Sequence, residues 1–131
     1  MPRELFGSDR LAREVPYHYA SAATGRTLVF TAGACPLDEE GRVVAAGDVA
    51  GQTRRSIENL RVALEDAGCA LSGIVKTTIF VASSARDDLL DAWNEYEKVF
   101  GTDGPPSTLL GVAALGWHEQ LVEIEAVAVR D

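Results

Sequence analysis

Leu121-Val122-Glu123-Ile124-Glu125-Ala126-Val127-Ala128-Val129 decides how this chain is organised. Its apolar, largely β-branched residues predict a strand. Side chains alternate faces along a strand, so Val122, Ile124, Ala126 and Ala128 share one face. Glu123, Glu125, Val127 and Val129 share the other. A carboxylate in a half-buried strand is unfavourable unless something pairs or uses it. Glu123 and Glu125 therefore mark a sheet face that meets solvent, an ion pair at a subunit contact, or a functional site.

The preceding segments supply partners for that strand. Ile74-Val75-Lys76-Thr77-Thr78-Ile79-Phe80-Val81-Ala82 is rich in β-branched residues and reads as a central strand. Ser107 to Ala113 is a further strand, after a loop containing Gly104, Pro105 and Pro106. Between them, Ser84 with Asp87 matches a capping box. Leu89, Trp93, Tyr96 and Phe100 then form one face of a helix that Gly101 ends. An earlier helix starts at the N-cap Asp48 and stops at Gly68. Its stripe is Val49, Thr53, Ile57, Leu60, Leu64 and Ala67, with Gln52, Arg54, Arg55, Glu58, Arg61 and Glu65 mostly on other faces. Upstream, His18–Ala23 and Thr27–Ala32 read as two arms of a hairpin around Thr24-Gly25-Arg26, and Arg42-Val43-Val44 as a short strand. Met1 to Val15 is a charged surface lead-in with room for one short strand.

The order β-β-β-α-β-α-β-β predicts an α+β sandwich, one sheet with both helices on one face. Residues 1–131 form a single domain, because no linker or charge break divides them. The sheet's other face has no helix left to cover it, and self-association is the simplest way to bury its apolar residues.

Composition narrows the function classes. A formal charge of −8 repels phosphate backbones, so nucleic acid is a poor partner. No apolar stretch approaches membrane-spanning length and no leader-like run opens the chain, which points to a cytoplasmic protein without membrane contact. Cys35 and Cys69 have no metal spacing and no His beside them, so neither a metal site nor a disulfide framework is expected. No motif calls for a nucleotide or flavin cofactor.

Several segments together resemble the Rid family, the reactive intermediate deaminases also called YjgF-like. They are Pro16-Tyr17, Leu28 to Gly33, Gly47-Asp48-Val49-Ala50-Gly51-Gln52-Thr53, Ile57-Glu58-Asn59-Leu60, Val75 to Phe80, Trp93-Asn94-Glu95, Val112-Ala113-Ala114-Leu115 and Leu121 to Val129. The resemblance runs from about Tyr17 to the C-terminus. It implies a chorismate-mutase-like fold and a homotrimer with small-molecule pockets at the subunit interfaces. It also implies hydrolysis of enamines and imines released by pyridoxal-phosphate enzymes, which needs only a positioned water, a proton shuttle and an anchored substrate.

The residues carried over are Glu123, the carboxylate that holds or activates water, Tyr17 as a pocket tyrosine, and Gly33, whose backbone faces the ligand. The family's best-studied members grip the substrate carboxylate with an arginine at the start of the strand after the Pro-rich loop. That position is Ser107 here, and Pro105-Pro106-Ser107-Thr108-Leu109-Leu110 contains no Arg. A serine cannot replace a two-pronged guanidinium contact, so a 2-imino acid loses roughly 1.5–3 kcal/mol of binding. Arg54, Arg55 and Arg61 read as solvated helix charges. The chain thus resembles Arg-lacking members of the family. Ala34 stands where many members have glutamine and Leu109 where some have cysteine. Cys35 beside Gly33 has no sequence neighbour that would activate it as a nucleophile. His118 reads as an exposed turn histidine rather than a proton shuttle.

Two functional classes follow. One is a hydrolase of an imine, enamine or related labile compound lacking a carboxylate beside the reacting carbon. The other is a trimer that binds a small metabolite, or regulates, without turnover.

Overall fold

In the computed structural model, which describes residues 3–131, the strands are β1 (Arg3–Phe6), β2 (Ala20–Ala23), β3 (Thr27–Phe30), β4 (Ile74–Val81), β5 (Ser107–Gly111) and β6 (Val122–Arg130). The helices are α1 (Val49–Asp66) and α2 (Arg86–Phe100). Four strands form a mixed sheet in the order β3-β6-β4-β5, and β1 pairs separately with β2. β4 and β5 run parallel, with α2 as the crossover, while β6 runs antiparallel to β4 and to β3. The architecture is the expected α+β sheet with both helices on one face.

The alternation along β6 is as its sequence predicts. Val122, Ile124, Ala126 and Ala128 are buried, with Ile79 and Val81 of β4, beneath Ile57, Leu60 and Leu64 of α1. Glu123 lies opposite Phe80 and Glu125 opposite Thr78 on the face without helices. That face carries Leu28, Phe30 and Leu110, which are 60%, 70% and 41% exposed, an apolar row on the outer strands.

Four local expectations need correction. β2 and β3 are not a hairpin, because β2 pairs with β1 and β3 with β6, with Phe30 opposite Val127. The small residues of β2, Ala20-Ser21-Ala22-Ala23, offer little cross-strand contact, whereas Leu28 and Phe30 find Val129 and Val127. The lead-in does contain a strand, β1, although Met1 lies outside the described residues. Arg42–Val44 contributes a single bridge, Leu37 to Val43, rather than a strand. The start of α2 is fixed by Ser83, not Ser84: its hydroxyl accepts from the Ala85 N–H at 3.0 Å and donates to Asp88 at 2.6 Å. At α1, Asp48 is the N-cap as expected and accepts from the Gly51 N–H at 3.0 Å. Gln52, however, is fully buried rather than on a solvated face.

Candidate functional site

Glu123 sits where an irregular edge crosses over β6. The Thr31 N–H donates to the Ala126 carbonyl at 3.0 Å, and Ala34 and Ile124 exchange both backbone bonds at 2.7 and 3.1 Å. Ala32 and Gly33 therefore stand against Glu125 alone, an extra residue in the manner of a β-bulge. The bulge lowers the Gly33 backbone onto the Glu123 side chain, and a Cβ at position 33 would overlap the carboxylate. Glycine is required here by close approach rather than by a positive φ.

The carboxylate is held from one side. Oε1 accepts from the Cys35 thiol at 3.3 Å and from the Gln120 amide at 3.2 Å. Among the described residues no donor is bonded to Oε2, which lies over Gly33. Gln120 is itself buried: its amide nitrogen also donates to the Val122 carbonyl at 3.1 Å, and its oxygen accepts from the Trp117 N–H at 3.1 Å.

α1 fixes both flanks of this arrangement. Gln52 donates to the Glu119 carbonyl at 2.9 Å and accepts from the Leu121 N–H at 2.7 Å. It thereby pins a turn in which Glu119 takes a left-handed backbone, φ 64°. Asn59 donates to the Cys35 and Leu37 carbonyls at 2.8 and 2.9 Å, and Arg55 Nε to the Leu37 carbonyl at 3.0 Å. These polar residues were not readable as site-builders, because their partners are backbone groups distant in sequence.

Burial pushes the Cys35 thiol up, and the hydrogen bond to Glu123 and that residue's charge push it further, against donors on Gln120 and Trp117. Cys35 is thus a thiol donor at neutral pH and a poor nucleophile. Alkylation of Cys35 by iodoacetamide at pH 8, followed by mass spectrometry, is expected to be slower than that of an unstructured thiol. Glu123→Gln removes the charge and should speed it. An unchanged rate in that variant would contradict the Cys35–Glu123 contact.

Tyr17 and Ser107 do not join Glu123 within the chain. Ser107 is in register with Thr77 on the helix-facing side, and Glu123 is in register with Phe80 on the opposite face. The Ser107 hydroxyl bonds the Thr77 hydroxyl, and the Tyr96 hydroxyl at 2.7 Å. Tyr96 is almost fully buried, and burial raises its phenol above the ordinary range. Tyr17 packs edge-on against Tyr19, with centroids 5.6 Å apart, and lines a cleft of about 250 Å³ with His18, Trp93, Tyr96, Glu97 and Pro105.

The helix arginines are engaged elsewhere. Arg54 pairs with Glu95 at 2.5 Å, and Arg61 with Glu58 and Glu65. Arg55 is half-buried rather than solvated and lines a groove of about 630 Å³ that includes Gly33 and Cys35. His118 is exposed, in the turn after Trp117. Among the described residues no group of three His, Cys, Asp or Glu side chains is placed to hold a metal ion.

The arrangement of sheet and helices recurs in known proteins. The family described as Endoribonuclease L-PSP matches residues 8–130. A RutC family protein of Pyrococcus abyssi is 32% identical over 131 residues, covering 100% of both chains. A protein of Salmonella typhimurium named 2-iminobutanoate/2-iminopropanoate deaminase is 36% identical over 107 residues, 79% of this chain and 80% of that one. Among solved structures, the Rid family protein YyfB of Yersinia pestis superposes with a TM-score of 0.88 at 25% identity, covering 98% of this chain and 99% of that one. The chain belongs to this family, the Rid or YjgF/RutC family, and has its fold.

Proposed function

We propose that this protein hydrolyses an imine or enamine that lacks a carboxylate beside the reacting carbon, in pockets between the subunits of a homotrimer. The observation that carries the reading is the Glu123 carboxylate, clamped through Oε1 by Cys35 and Gln120 with Oε2 over Gly33. Oε2 is placed to accept a proton from a water attacking the electrophilic carbon. The addition gives a carbinolamine, a proton passes to its nitrogen, and the C–N bond breaks, so imine and water become carbonyl compound and ammonia or amine. Gly33 supplies backbone contact to the substrate and Tyr17 supplies a wall.

The division of the candidate residues supports the same reading. Glu123 and the Tyr17 cleft lie apart in one protomer, and the uncovered sheet face with Leu28 and Phe30 is suited to burial against another copy. Relatives named 2-iminobutanoate/2-iminopropanoate deaminase act, by that name, on compounds with a carboxylate. The resemblance puts the anchoring position at Ser107, whose hydroxyl is already engaged by Tyr96 and Thr77, and this supports reading the chain as an Arg-lacking member. An RNA-cleaving role, as the family's description suggests, has the net charge of −8 against it.

Ammonia release from imines generated in situ, with and without a carboxylate on the reacting carbon, tests this. Carboxylate-free imines should be accelerated, and 2-imino acids should be handled roughly ten- to a hundredfold less well. Faster turnover of 2-imino acids would overturn the Ser107 argument. No acceleration of any imine would leave a trimer that binds a small molecule without turning it over.

A further inference from the structure

The turn that leads into β6 carries an aromatic residue that the hydrolysis chemistry leaves unused. Trp117 is 52% exposed, yet its position is fixed. Its backbone N–H donates to the Gln120 side-chain oxygen at 3.1 Å, and its carbonyl accepts from the Gln120 N–H at 3.2 Å. The side-chain nitrogen of the same Gln120 donates to Glu123 Oε1 at 3.2 Å. The indole N–H is the one polar group of a tryptophan side chain. In Trp117 it acts as a donor on the Cys35 sulfur, and that thiol donates to Glu123 Oε1 at 3.3 Å. Trp117 is therefore tied to the carboxylate twice, through Gln120 and through Cys35. With its polar edge turned to Cys35, the indole presents apolar ring surface to solvent.

The charges around this ring are mostly negative. Glu123 Oε2 has no donor among the described residues. The groove that continues from Gly33 and Cys35 is lined by Asp38, Glu39 and Asp66 against Arg55 alone, whose Nε is taken by the Leu37 carbonyl. Such a site repels anions and gathers cations, in line with the charge of −8 on the whole chain. Among aromatic side chains an indole face attracts a cation best, within about 6 Å of the ring. An imine becomes cationic when its nitrogen gains a proton, and that cation is the more electrophilic form. A neutral imine gains less from the ring and the carboxylate, and an anion is repelled by both.

We propose that the exposed face of Trp117 and the Glu123 carboxylate together bind the substrate as an iminium ion, so that the preferred substrates are imines of basic alkylamines. This rests on the imine-hydrolase reading for the chemistry that follows binding, and not for the binding itself. Glu123 takes a proton from water as the C–O bond forms, and the C=N π electrons pass to nitrogen and cancel its charge. That proton then moves to the nitrogen, the C–N bond breaks, and the hydroxyl proton ends on the departing amine. Iminium ion and water thus become carbonyl compound and alkylammonium ion. Because the cation is lost as the C–O bond forms, Trp117 serves binding and specificity rather than the chemical step.

Choline is the probe, because it is permanently cationic and has no imine. The alcohol 3,3-dimethylbutan-1-ol has the same shape without the charge. In proton spectra the methyl signal of choline should broaden saturably on addition of the full chain, and the alcohol should bind severalfold more weakly. Trp117→Leu keeps an apolar side chain and the net charge, and at a half-exposed position it should fold as the wild type does. It should weaken choline about 3- to 30-fold, the contribution of a cation on an indole face, while Trp117→Phe should retain part of the affinity. Glu123→Gln should also weaken choline and leave the alcohol unchanged. None of these readouts needs turnover, so inactivity toward every imine would remove the hydrolase reading and leave the cation site standing. Equal affinity for choline and the alcohol, or undiminished choline binding in Trp117→Leu, would overturn the proposal.

Discussion

Glu123→Gln is expected to lower turnover of a carboxylate-free imine by about 100- to 10,000-fold, the usual worth of a positioned general base, without changing the melting temperature. Glutamine has the shape of glutamate. Its amide oxygen can accept from Cys35 and Gln120 as Oε1 does, so the clamp survives. The amide nitrogen would then lie over Gly33, where it can donate but not take a proton from water. The loss should fall on kcat rather than KM, since the group acts on the water and not on the substrate's fixed parts. Glu125→Gln is the control. Glu125 points to the same face but is exposed opposite Thr78, and its substitution should change turnover little. Turnover of Glu123→Gln at the wild-type rate would place water activation on another group.

How much of this was legible in sequence depends on where each residue's partner lies. β6 was readable because an alternation of period two is local, and its buried face came out as its pattern requires. Both helices were readable for the same reason, from their stripes and the Asp48 cap. The β2–β3 hairpin failed because adjacency in sequence was taken for pairing. The apolar partners of Leu28 and Phe30 are Val129 and Val127, about a hundred residues away. Gln52 read as lying off the apolar stripe of α1, since a glutamine's value depends on backbone groups that a remote turn leaves unpaired. Cys35 was judged by its sequence neighbours, none of which could activate it. Its spatial neighbour is a carboxylate, which makes it a donor to Glu123. Ser107 shows the limit of position alone: the strand start is where it was placed, but the hydroxyl turns toward Tyr96 and not toward the face that carries Glu123.

Gln52→Leu should lower stability by roughly 2–5 kcal/mol, because it leaves two backbone groups near the site without partners. Gln52 is fully buried, and water cannot simply replace it. Its amide holds the Glu119 carbonyl and the Leu121 N–H across the turn that enters β6. Leucine restores the volume and gains some apolar burial, but neither bond. For a domain of 131 residues the expected drop in melting temperature is about 8–20 °C. The site should suffer as well, since Glu119 holds a left-handed φ that a non-glycine residue keeps only when its surroundings enforce it. Once that turn relaxes, Gln120 shifts and one of the two donors on Glu123 Oε1 is lost. Adding Glu119→Gly to Gln52→Leu separates the two effects. Glycine adopts that backbone without strain, so the double variant should regain turnover while remaining less stable than the wild type. Turnover that stays low in the double variant would mean Gln52 acts through core packing and not through the turn, and an unchanged melting temperature in Gln52→Leu alone would remove its role as the link between α1 and the Glu123 strand.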